Sequence, residues 1–176
     1  RVSWRLLLTL TSGLLAWGLL GVSVPHLGFD WIDRQWAAWP WLGVGLAVLA
    51  VTGLPHAFNI IDGYNGLAGS VALVVCLALA HVALQVGDRE LAAMAIALAA
   101  ATAGFMVWNY PRGLIFAGDA GAYLWGLLIA VISLLLVPCI RIVSRWFPLP
   151  LLIYPVCETV FSISRKLWLG DSPGMA

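Results

Sequence analysis

The sequence predicts an all-α protein, a polytopic bundle of about six transmembrane helices with almost no water-soluble domain. Three observations carry that expectation. Hydrophobic residues make up 62% of the 176 and charged residues 10%, with a mean hydropathy of +0.99, too little polar surface to clothe a globule in water. Apolar runs close to the ~20 helical residues that cross ~30 Å of hydrocarbon recur along the chain. The polar residues gather in the breaks between those runs, where backbone can leave the lipid.

Taken in order, the candidate spans lie near 5–22, 41–58, 66–86, 90–107, 119–138 and 147–163. Arg1 and Arg5 ahead of the first run resemble the head of a signal peptide, yet further spans follow and no small-residue cleavage site closes it, so a spanning helix is the better reading. The 23–40 break carries Pro25, His26, Asp30, Asp33 and Arg34 among Trp31, Trp36, Trp39 and Trp41, the composition of an interfacial segment with an aromatic belt. The Ala-rich stretch from Ala92 to Ala103 suits close helix packing. The chain opens on Arg1 and stops at Gly174-Met175-Ala176, so residues 1–176 read as one transmembrane domain truncated at both ends.

Nine Lys+Arg against eight Asp+Glu give a formal charge of +1, no basic field for nucleic acid. Cys76, Cys139 and Cys157 stand apart in apolar runs without metal-ligand spacing and read as packing residues. Six crossings would gather 59–65, 108–118 and 164–176 on one face with Arg1. Basic residues there are Arg1, Arg5, Arg112, Arg165 and Lys166, against Arg34, Arg89, Arg141 and Arg145 opposite, a count that leans the first face toward the cytoplasm.

Two breaks on that face carry chemistry-bearing residues. In Asn59-Ile60-Ile61-Asp62-Gly63-Tyr64-Asn65-Gly66-Leu67-Ala68-Gly69 a carboxylate and two amides interrupt apolar sequence beside glycines. Glycine lets backbone approach a ligand, the next helix offers N–H groups to an anion, and Asp62 can bind a metal bridging phosphates. A polar turn with Asn65 as helix N-cap explains the same residues. In Asn109-Tyr110-Pro111-Arg112-Gly113-Leu114-Ile115-Phe116-Ala117-Gly118-Asp119 the loop runs into a helix with Asp119 in its first turn. Either the helix dipole alone accounts for that acid, or it is a metal-binding carboxylate, with Arg112 near anionic substrate and Phe116 as a stacking surface. Glu158, beside Pro155 and ahead of Arg165, Lys166 and Asp171, reads as part of an ion pair at a helix end. His26 and the solitary His81 receive no role.

These loops resemble the signatures of the polyprenyl-phosphate N-acetylhexosamine-1-phosphate transferases, the membrane enzymes grouped in glycosyltransferase family 4. Ala57-Phe58-Asn59-Ile60-Ile61-Asp62-Gly63-Tyr64-Asn65-Gly66-Leu67-Ala68 looks like the family's N-x-x-D-G-x-D/N-G-L-A loop, and Phe116-Ala117-Gly118-Asp119-Ala120-Gly121 like its F-x-G-D-x-G loop. Tyr154-Pro155-Val156-Cys157-Glu158-Thr159, with Arg165, Lys166, Ser172 and Pro173 beyond, resembles the helix leading to its histidine-rich loop.

The resemblance implies transfer of an N-acetylhexosamine 1-phosphate from a UDP-sugar to undecaprenyl phosphate, with magnesium (Mg2+) present and UMP released, to start a lipid-linked surface polysaccharide. It implies Asp119 and Asp62 as catalytic and metal-binding carboxylates, and Asn59, Asn65, Asn109, Phe116 and Arg112 as substrate contacts. The partners implied are both substrates and the lipid bilayer, with a homodimer admitted and nucleic acid excluded. The implied location is the bacterial inner membrane, active-site loops toward the cytoplasm. The family's first acidic motif and its histidine loop are not among these residues, so these 176 alone are expected to be inactive. Asn65 stands where many members carry Asp, Ala122 where many carry Ser, Leu114 where Lys is frequent, and His56 where Asn often precedes Ala-Phe-Asn. Two alternatives stand beside this reading: a phospho-MurNAc-pentapeptide transferase of the peptidoglycan branch, and a transporter or membrane scaffold whose polar breaks line a path at mid-membrane.

Overall fold

A computed structural model describes residues 2–24, 26–27, 29–139 and 146–169. Among them the chain is helical: α1 (Val2–Leu20), α2 (Asp30–Ala38), α3 (Trp41–Ile61), α4 (Leu67–Gln85), α5 (Arg89–Asn109), α6 (Gly118–Leu136), α7 (Pro148–Leu151) and α8 (Ile153–Trp168), with a 3-10 turn at Val137–Cys139. Arg1, Pro25, Arg141, Arg145, Asp171, Ser172 and Pro173, used above, lie outside the described residues.

Among the described residues five helices, α1, α3, α4, α5 and α6, are long and apolar enough to cross a membrane. The sixth candidate, 147–163, is divided at Leu152 into α7 and α8. Pro148, Pro150 and Pro155 supply no backbone N–H, so this stretch cannot close one continuous hydrogen-bond ladder. At 16 residues α8 would rise about 24 Å, short of a ~30 Å core. It is amphipathic rather than apolar all round: Pro155 is buried, Phe161, Leu167 and Trp168 are exposed, and Arg165 and Lys166 sit in its last turn, where the dipole favours cations. Glu158 is exposed and pairs with no described cation, so the expected ion pair is not formed among the described residues.

The 23–40 break contains α2, laid between the ends of α1 and α3. Trp36 Nε1 donates to the Val24 carbonyl at 2.8 Å and Asp33 Oδ1 accepts from Leu27 N at 2.7 Å, which folds the connection onto itself. Trp31, Trp39 and Trp41 stay exposed.

Helix α3 is the centre of the bundle, packing along α1, α6 and α8, while α4 and α5 form a hairpin beside it. Phe58, Leu79, Ile129, Ile132 and Leu136 are fully buried in the shared core. Between helices in lipid, close packing replaces the hydrophobic drive, and small residues permit it. At Gly126 of α6 a Cβ would run into the Pro55 backbone and stand 2.6 Å from the Leu54 carbonyl carbon of α3. Gly126→Ala should therefore push α3 and α6 apart and lower stability by about 1–3 kcal/mol. Thermal unfolding of the full-length protein in detergent tests this, and an unchanged midpoint would refute the close-contact account.

Candidate functional site

The two polar breaks meet at one end of the bundle. Helix α3 continues three residues past the expected 58, so Asn59 stands on its last turn and Asp62 is its C-cap, with Asp62 N donating to Phe58 O at 3.1 Å. Helix α5 likewise reaches Asn109. Asn109 is 4% exposed, its Oδ1 accepts from Gly66 N at 2.6 Å, and its Nδ2 donates to Ile115 O at 2.8 Å. One amide thus ties the end of α5, the start of α4 and the loop entering α6, and its polar atoms are engaged within the fold.

The N-cap of α4 is Gly66, at φ +82°, and not Asn65 as the polar-turn reading had it. That φ is costly for any residue with a Cβ, and a Cβ there would also stand 2.7 Å from the Tyr110 ring. Asn65, exposed, instead reaches the other loop, its Nδ2 3.4 Å from Pro111 O. The N–H groups of Gly66 and Leu67, two of the donors that a helix start offers an anion, are engaged by Asn109 and by Tyr64 O.

Asp119 lies in the first turn of α6, where the helix dipole favours a carboxylate. Its Oδ1 accepts from Asn59 Nδ2 at 2.8 Å and its Oδ2 pairs with the Arg5 guanidinium of α1, both charged side chains about half exposed. Three helices distant in sequence therefore converge on one carboxylate. Arg5 is the residue that motif reading left without a site role; a charge heading an apolar run was the signal, and it did not distinguish a site from a membrane-end cation. Phe116 is 73% exposed, and Arg112 is exposed in the same loop, with no ion pair among the described residues. The Asp62 carboxylate has no partner among the described residues, and burial pushes its pKa above the usual carboxylate range.

Among the described residues no three His, Cys, Asp or Glu side chains cluster as a complete metal cage. The donor set still fits a hard cation that takes one or two carboxylates and completes its shell with substrate phosphates and water. Carboxylate oxygens carry about four acceptor sites between them, so the bonds from Asn59 and Arg5 leave Asp119 capacity to ligate.

Residues 1–137 match glycosyl transferase family 4. The chain is 32% identical over 146 residues to the probable undecaprenyl-phosphate N-acetylglucosaminyl 1-phosphate transferase of Bacillus subtilis (strain 168), covering 82% of this chain and 39% of that protein. It is 34% identical over 139 residues to the phospho-N-acetylmuramoyl-pentapeptide-transferase of Moorella thermoacetica, covering 77% and 42%. To the undecaprenyl-phosphate alpha-N-acetylglucosaminyl 1-phosphate transferase of Thermotoga maritima it is 29% identical over 126 residues, covering 72% and 37%. The chain spans well under half the length of these relatives.

Two outcomes test the geometry. Asn109→Leu leaves the buried Gly66 N–H without a partner, at about 1–3 kcal/mol, and releases the Ile115 carbonyl, so the loop at 110–117 should become a protease-sensitive site; equal cleavage of variant and parent would remove the strut. The folded Asp62 carboxyl titrates above its ordinary value of 3.8, so its contribution to stability is full below that value and is lost as pH rises through the raised one. Relative to Asp62→Asn, the protein should lose thermal stability across that interval on going from acid to neutral pH. A pH-independent difference would show that burial of the charge is not what matters at this position.

Proposed function

The chain belongs to glycosyl transferase family 4, and we propose that its two loops form part of the site where an N-acetylhexosamine 1-phosphate passes from a UDP-sugar to undecaprenyl phosphate. In this reading the 176 residues are one transmembrane unit of a longer bacterial plasma-membrane enzyme, with the loop end toward the cytoplasm, where a soluble nucleotide meets a lipid head group. The observation that carries it is the convergence of Arg5, Asn59 and Asp119 at the end of the apolar helices, with Asp62 capping the helix that carries Asn59.

A phosphate oxygen of the lipid attacks the sugar-bearing phosphorus of the UDP-sugar, the bond from that phosphorus to the UMP oxygen breaks, and UMP departs. Both reactants are anionic, so the site must offset their repulsion and hold them in line. Asp119 and Asp62 would hold magnesium, whose chemistry when bound is to neutralise charge on the pyrophosphate. Asn59 orients Asp119 by donating to Oδ1 and leaves the rest of the carboxylate open to a ligand. The Arg5 guanidinium, resting on Oδ2, is placed to turn toward a substrate phosphate. Arg112 offers a second cation, Phe116 an open ring for the uracil, and Asn65 an amide at the loop junction. Asn109 serves the donor by holding the loops in register.

The observation bearing on the sugar is Asn65 in place of the commoner Asp, which favours a surface-polysaccharide donor over the muramoyl-pentapeptide. The deciding experiment is UMP release by the full-length protein in detergent, with undecaprenyl phosphate, and UDP-N-acetyl sugars or UDP-MurNAc-pentapeptide, with and without magnesium. Lipid- and magnesium-dependent UMP is expected, and Asp119→Asn should lower kcat by about 100-fold or more while the protein still folds. Normal magnesium-dependent turnover in that variant removes Asp119 from the mechanism; no UMP with any donor removes the reaction.

A further inference from the structure

One helical turn deeper than the Arg5–Asp119–Asn59 contacts, the same three helices meet again. Thr9 follows Arg5 by four residues on α1, Tyr123 follows Asp119 by four on α6, and His56 precedes Asn59 by three on α3, so each lies beneath its partner on the same helix face. His56 Nε2 is 3.0 Å from Thr9 Oγ1 and its Nδ1 is 3.5 Å from the Tyr123 hydroxyl, with the two rings edge to face at 5.2 Å. Thr9 Oγ1 in turn donates to the carbonyl of Arg5 or Leu6, each at 3.1 Å.

The donor inventory orders these contacts. With the Thr9 proton on a backbone carbonyl, Thr9 Oγ1 accepts from His56 Nε2–H, and the neutral ring then accepts from the Tyr123 O–H at Nδ1. A hydrogen-bonded chain thus runs from the helix that carries Asp119, through α3, to the backbone beside Arg5. No hydrogen bond joins His56 to Asp119 or Asn59 among the described residues. We propose that His56 is a positioning residue: through Tyr123 and Thr9 it holds α6 and α1 on α3, and so sets where the Asp119 carboxylate stands between Arg5 and Asn59.

The kinetic arm of the test rests on the transferase reading; the distance arm does not. In the full-length protein, nitroxide labels at Leu8→Cys and Leu124→Cys, exposed positions on α1 and α6, report the spacing of the two helices by pulsed dipolar EPR, with the exposed Cys139 and Cys157 replaced by serine. His56→Leu should broaden the distance distribution and lower kcat for UMP release about 10- to 100-fold, with KM for the UDP-sugar changed less than about threefold. His56→Gln, whose amide keeps a donor for Thr9 and an acceptor for Tyr123, should restore both. A His56→Leu distribution as narrow as the parent's overturns the proposal. So does broadening that leaves kcat unchanged or that glutamine does not relieve, since either marks a histidine that only packs. Where His56→Leu fails to fold, Tyr123→Phe decides, because it removes the α6 bond alone: broadening supports the chain and an unchanged distribution overturns it. If the unsubstituted protein releases no UMP, the transferase reading falls and the label distances still decide on His56.

Discussion

Inside hydrocarbon a backbone N–H or C=O has no water to turn to, and leaving one unpaired costs several kcal/mol. Irregular backbone is thereby driven to the helix ends, and the two loops that carry the polar motifs are held there by a single buried amide. Asn109 closes the account for Gly66 N and Ile115 O at once, so the start of α4 and the approach to α6 are set relative to each other by one side chain. Gly66 makes that junction feasible, because its left-handed φ and missing Cβ let Tyr110 lie against it.

With the loops so placed, the electrostatics of the bundle end follow. Asp119 is favoured by the first turn of α6, oriented by an amide on α3 and balanced by a guanidinium on α1. Asp62 follows Asn59 by three residues at the end of α3, half-buried and without a partner among the described residues, and burial disfavours its ionised form. One carboxylate is thus balanced by a cation, and the other has no balancing charge among the described residues, an arrangement that added positive charge would stabilise. Beneath it, the Thr9–His56–Tyr123 contacts repeat the three-helix meeting one turn into the bundle, so the site stands on a second polar layer rather than on apolar packing alone.

The remaining elements show how length and amphipathicity sort segments at a membrane. Helices α3 to α6 are long and apolar throughout; α2 and α8 are short and two-faced, and both leave aromatic residues exposed. Across 147–163 the prolines of α7 and Pro155 of α8, not a lack of apolar residues, go with the break at Leu152 in the span that hydropathy predicts.

How much was legible beforehand differs by kind. Composition and run length determined the helical membrane class, and the five apolar spans were located to within a turn or so, because hydrocarbon thickness is a fixed ruler that acts on local sequence. The motifs Asn59-to-Gly69 and Phe116-to-Gly121 determined the family and nominated Asp62 and Asp119, since those residue types interrupt apolar sequence for no packing reason. Only the tertiary structure decided that Asn109 is a strut, that Gly66 rather than Asn65 caps α4, that Arg5 pairs with Asp119, and that His56 meets Thr9 and Tyr123. Each of these depends on contacts between helices far apart in the chain, and crossing angle and rotation about the helix axis are set by mutual packing, to which no local pattern refers.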